Sequence, residues 1–142
     1  MPHLRPYHIF ISHAWRYGID YNHLISLLDD APNFCYLNFS APSDKPLKNL
    51  DSTDVSTIKE IEEAIERKIR PCSCVLVISG MYYNFRRWMK YELEVAKKLN
   101  KPIIAILPRG AEKTPLEVCA VADRFVYWNT DKIVSAVREL SK

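Results

Sequence analysis

Five short, nearly unbroken apolar runs alternate along the chain with segments whose apolar residues recur at helical spacing, and no other feature restricts the fold as strongly. YHIFISHAW, from Tyr7, opens with β-branched and aromatic residues, as a strand buried on both faces would. YNHLISLLDD (21–30) has Leu24, Ile25, Leu27 and Leu28 at helical spacing and stops before Pro32. FCYLNFS (34–40) reads as a second strand, and APSDKPLKNLDSTD after it as a loop of unusual length with two prolines, a candidate functional loop. From Ser56, Ile58, Ile61, Ala64, Ile65 and Ile69 line one helical face, and Pro71 enforces a stop. CVLVIS (74–79) is the third strand, and the helix after it ends at Asn100 and Lys101 before Pro102. PIIAILP (102–108) is the fourth strand, followed by a short helix around Leu116 to Ala122. RFVYW (124–128) is the fifth, and Asn129 or Thr130 can cap a last helix from Asp131 to Leu140.

That alternation predicts a parallel sheet covered by helices on both faces. The handedness rule for such crossovers favours a flavodoxin-like α/β three-layer sandwich, five strands in the order 2-1-3-4-5. No repeat, low-complexity tract or linker divides the chain, so residues 1–142 are expected to form a single domain. In open sheets of this kind the ligand crevice lies beyond the carboxyl ends of the strands, where strand order reverses. Here that is between strands one and three, where SHAW (12–15) and SGMYYNF (79–85) emerge.

The helix that follows strand three, RRWMKYELEVAKKL (86–99), contains one inconsistency. On a wheel turning about 100° per residue, Phe85, Trp88, Met89, Val95, Ala96 and Leu99 all fall within about 60° of Glu92. The carboxylate is therefore at the centre of the apolar face. Helical side chains tilt toward their own N-terminus, so Glu92 is expected to lean toward the crevice and border a pocket, with Trp88 one turn nearer to it. A carboxylate tuned beside an indole is an arrangement that active sites use. The plainer alternative is a structural Glu that pairs with a buried Arg or caps a loop, since unpaired burial costs several kcal/mol. His13 and Trp15 at the end of strand one, and Tyr82 and Tyr83 after strand three, carry the same two readings.

Composition removes several function classes. Charged residues are 26% and the net charge is only +3, which suggests neither disorder nor a dominant polyanion partner. The basic outer face of the 86–101 helix reads as solvated, and no nucleic-acid partner is expected. No apolar run approaches the length of a membrane span and no signal region opens the chain, so a cytoplasmic, membrane-free protein is expected. Cys35, Cys72, Cys74 and Cys119 lack metal-site spacing, and three of them sit in strand-like or helix-like apolar segments. They are expected to be reduced and structural, with no bound metal. GxxxxGK[ST], GxGxxG and GxSxG are all absent, which removes the ordinary phosphate cradles and the hydrolase elbow. A phosphoacceptor receiver would need clustered acids after strand one, and SHAW has none.

FISHAW, the proline-containing loop after strand two, VLVIS and above all RRWMKYEL resemble TIR domains, specifically the bacterial TIR-like proteins of Thoeris antiphage systems, the ThsB type. The similarity spans nearly the whole chain. Its most specific part is W-x-x-x-E on the helix after strand three, which in NAD-consuming TIR domains carries the catalytic glutamate. The resemblance thus implies Glu92 as catalytic and Phe10, Ser12, His13, Trp15, Asp44, Ser79, Tyr82 and Trp88 as substrate-binding, with Ala41 to Leu47 as the BB loop. Many TIR domains place arginines just after the strand-one serine; here His13, Ala14 and Trp15 precede Arg16, so the phosphate or adenine contacts are expected to differ.

The implied activity is cleavage of the bond between nicotinamide and ribose in NAD, with NAD as substrate and no cofactor. The implied product is an ADP-ribose-derived signalling nucleotide, typically a cyclic ADP-ribose isomer, that activates a separate Thoeris effector. Some relatives instead join an amino acid to ADP-ribose, and the residues do not separate the two. Self-association through TIR–TIR contacts is also implied. A non-catalytic TIR scaffold acting by protein association is the alternative, and a nucleoside deoxyribosyltransferase-like enzyme, with related architecture and a carboxylate nucleophile, is a third.

Overall fold

The structure, a computed structural model, describes residues 6–12, 18–39, 54–78, 86–107 and 116–141. Strand and helix alternate in the expected order: β1 (Tyr7–Ser12), α1 (Gly18–Asp30), β2 (Tyr36–Asn38), α2 (Val55–Ile69), β3 (Cys74–Ile78), α3 (Arg86–Lys98), β4 (Ile103–Ile106), α4 (Leu116–Val121), β5 (Arg124–Val126) and α5 (Thr130–Leu140). The sheet runs β2-β1-β3-β4-β5 with every pair parallel. The fold is therefore the flavodoxin-like α/β sandwich that the periodicity predicts. Helices α2, α3 and α4 pack beside one another and α1 packs with α5, as two covering layers require.

The strands are shorter than their apolar runs. β2 spans three residues rather than 34–40 because its flanks join β1 by isolated bonds: Tyr7 N–H donates to the Cys35 carbonyl at 2.9 Å and Phe39 N–H to that of Ile9 at 2.8 Å. β5 stops at Val126, and Tyr127 beyond it is 71% exposed. The helix ends follow local chemistry. Asp54 caps α2 by accepting from Thr57 N–H, and Asn129 caps α5 by accepting from Lys132 N–H, each at 3.1 Å. At the end of α3, Asn100 adopts φ 58°; its N–H bonds the Lys97 carbonyl and that of Lys101 bonds the Ala96 carbonyl. That pair of bonds is the Schellman closure, which requires a left-handed residue at this position.

The core runs along both faces of the sheet. β3 and β4 are buried throughout, as central parallel strands should be. α2 turns Ile61, Ile65 and Ile69 inward, and α5 turns Ile133, Val134, Ala136 and Val137. Each such Ile or Val side chain, fully buried, contributes about 1.5–3 kcal/mol. The cysteines divide: Cys72 and Cys74 are buried, whereas Cys35 and Cys119 are exposed and so fill no core space. All four are free thiols. Among the described residues no helix is long and apolar enough to cross a membrane, and no cluster of His, Cys, Asp or Glu is placed to hold a metal ion.

Candidate active site

β1 and β3 pair as Ile9 with Cys74 through Ser12 with Val77, so their carboxyl ends finish side by side at the point where strand order reverses. Side chains alternate across a strand. Ser12 and Phe10 accordingly face α3, and Ile9 and Ile11 face the opposite layer. Along the α3 side, Ser12 lies beside Val77, and Val77 beside Ala105.

Glu92 reaches this surface from the middle of α3. It is 2% exposed, and Ser12, at 0%, is the other buried polar residue among those described. The Ser12 hydroxyl donates a 2.7 Å hydrogen bond to Glu92 Oε1. Burial pushes the Glu92 carboxyl up to about 8, opposed first by the Ser12 hydrogen bond and then by the positive charge of Lys68 on α2. The helical wheel thus located an inward carboxylate, and its hydrogen-bond partner among the described residues is a strand hydroxyl rather than the buried Arg or loop of the plainer alternative. The segments expected to wall its pocket, 13–15 and 79–85, lie outside the described residues.

Lys68 escaped the periodicity reading, although a signal was present. It lies seven residues after Ile61, within about 20° of the same direction on a helix, and so interrupts the apolar stripe of α2. Burial lowers its pKa and the charge of Glu92 raises it again. Next to this pair, Tyr91 turns toward α2, where its hydroxyl donates to Glu66 Oε1 at 3.4 Å.

Trp88 is 9% exposed and meets Tyr91 edge-on, with ring centroids 6.0 Å apart. Phe10 is 1% exposed, so its side chain presents no surface to a ligand in this structure. Of the residues singled out in the sequence, Ser12, Glu92, Trp88 and Phe10 are thus placed on β1 and α3, with Ser12 and Glu92 in direct contact. His13, Trp15, Asp44, Ser79, Tyr82, Tyr83 and the 41–47 loop lie outside the described residues. A cleft of about 540 Å³ lies at the opposite end of the sheet, lined by Lys97, Asn100, Lys101, Pro102, Asp123 and Leu140.

What this arrangement can do follows from its proton balance. A carboxyl whose pKa stands near 8 exchanges its proton close to neutral pH, where acid–base chemistry is most effective. When ionised in a dry setting, it is a strong electrostatic partner for developing positive charge.

Comparisons with known proteins add two findings. The fold matches a crystal structure of a conserved protein from Enterococcus faecalis V583 with a TM-score of 0.58 and 10% identity, over 95% of this chain and 99% of that one. At that identity the likeness concerns fold alone. Comparison with curated proteins finds no match. The family model for the TIR-like domain of the Thoeris protein ThsB matches residues 10–113, a stretch that includes both Ser12 and Glu92. On that match the chain belongs to the ThsB family of TIR-like Thoeris proteins.

Proposed function

We propose that this Thoeris TIR protein consumes NAD, breaking the bond between nicotinamide and ribose and releasing an ADP-ribose-derived signalling nucleotide. The observation that carries this reading is the placement of Glu92: a titratable carboxyl, four residues after Trp88, held at the switch point of the sheet by Ser12. The electron pair of the C1′–N1 bond leaves with nicotinamide, which becomes neutral, while positive charge develops on the ribose. Ionised Glu92 stabilises that charge. A hydroxyl of the same molecule then attacks C1′, gives up its proton to solvent and closes a cyclic ADP-ribose isomer. Capture by water instead yields linear ADP-ribose, and capture by an amino acid yields a conjugate. NAD is the substrate and no cofactor takes part; the product acts on a separate Thoeris effector.

At 2% exposure Glu92 meets a ligand only after its surroundings rearrange. Association between copies through TIR–TIR contacts is one means of rearranging them. The same burial favours a second reading, a non-catalytic TIR scaffold in which Glu92 is structural. Mass spectrometry of NAD incubated with the full chain, wild type against Glu92→Gln, with and without lysate from infected cells, separates the two. A new ADP-ribose-derived species from wild type alone supports the enzyme. No NAD loss under any condition supports the scaffold.

A further inference from the structure

We infer that Ser12 is a positioning residue for Glu92, holding the carboxyl from the carboxyl end of β1 rather than contacting substrate itself. Its functional meaning rests on the NAD-consuming reading, but the physical link stands on geometry. Donor and acceptor are 2.7 Å apart and both are closed to water, so neither exchanges this bond for one to solvent. The ladder register of Ser12 with Val77 ties the donor to the centre of the sheet. The next residues on that face, Val77 and Ala105, offer no competing polar side chain.

A hydroxyl can donate to a carboxylate and accept from a carboxylic acid, so this contact survives either protonation state. As a donor it favours the ionised form, which burial alone would suppress. Ser12 therefore keeps a dry carboxyl titratable near neutrality and fixes which oxygen faces β1.

Among the described residues, the other neighbours of Glu92 supply little charge. α3 packs on α2, α4, β1 and β4. Lys68 of α2 is the charge among the described residues that acts on Glu92. β4 is wholly apolar, and the titratable residues of β1, Tyr7 and His8, lie at its far end. On α4, Val118 is buried while Cys119 remains exposed.

The test is a carbon-13 NMR titration of glutamate side-chain carboxyls in the full chain, with Glu92→Gln assigning the resonance and thermal unfolding confirming each fold. In Ser12→Ala the Glu92 midpoint should rise by about one pH unit, a tenfold loss of ionised fraction at a fixed lower pH. Ser12→Thr, which restores a hydroxyl, should return it toward wild type; Ser12→Cys, a weak donor of similar size, should fall between. A folded Ser12→Ala chain whose Glu92 titrates as in wild type would overturn the inference. In turnover, Ser12→Ala should lose kcat at low pH and recover it at high pH with KM unchanged. An equal loss at every pH, or a rise in KM alone, would assign Ser12 to substrate contact. If the NMR midpoint moves but wild type consumes no NAD, the positioning link stands and the NAD reading falls.

Discussion

Lys68 on α2 and Glu92 on α3 act on each other across the interface between their helices, each offsetting part of what burial does to the other. Burial lowers the Lys68 pKa and the Glu92 charge raises it; burial raises the Glu92 carboxyl and Lys68 lowers it. Lys68 is only partly buried, so solvent and salt weaken the coupling. Lys68→Met should therefore move the Glu92 midpoint upward by less than Ser12→Ala does. High salt should move the wild-type midpoint in the same direction and leave that of the Met variant nearly still. The carboxyl titration at low and high salt checks both, and a downward shift in Lys68→Met would refute the coupling.

The raised Glu92 pKa has a sign that folding measurements can read. The carboxyl holds its proton more tightly in the folded chain, at about 8 against an ordinary 4.5. Its favourable contribution is fully present below the unfolded value and is lost as pH rises through the folded one. Glu92→Gln keeps an acceptor for the Ser12 hydroxyl but cannot ionise. The variant should match wild type near pH 4.5 and exceed it above pH 8 by on the order of 3 to 5 kcal/mol. Urea unfolding of the two chains across this range gives the difference directly. A difference that stays constant with pH would mean that Glu92 titrates as an ordinary carboxyl.

If Glu92 acts ionised, kcat/KM for NAD should rise with pH along a single-proton limb whose midpoint lies near that same value of about 8. A limb centred near the ordinary carboxylate range would show that the reacting form is more hydrated than the structure described above.

Trp88 is a core residue first. At 9% exposure and edge-on to Tyr91, its replacement by Ala should cost about 3–5 kcal/mol, whereas Trp88→Phe, which keeps an aromatic ring, should cost less than half of that. Chemical denaturation measures both. Stability unchanged in Trp88→Ala would remove Trp88 from the core.

The thiols should react in two classes. Cys35 and Cys119 are exposed, while burial pushes Cys72 up to about 12 and Cys74 up to about 11. An aromatic disulfide reagent at neutral pH should modify two thiols quickly and the other two only on unfolding. Rapid modification of all four in native chain would show that the β3 end of the core opens readily.

The order and type of the ten described elements were legible in the sequence, most plainly for the buried strands β1, β3 and β4 and the amphipathic helices α2, α3 and α5, which announce themselves within about ten residues. Their ends were less so: β2 ends where its ladder to β1 ends, and α3 closes only when Asn100 turns left-handed. Glu92 was visible as a misplaced charge on one helix, and Lys68 broke the α2 stripe in the same way, but neither pattern named a partner. The tertiary structure decided that the Glu92 carboxyl meets Ser12, 80 residues away, that Lys68 lies near enough to act on it, and that it is almost wholly buried. Periodicity is a property of neighbouring residues. Contact across the sheet and loss of water are properties of the packed chain, and they set the protonation of the one acid on which the proposed chemistry depends.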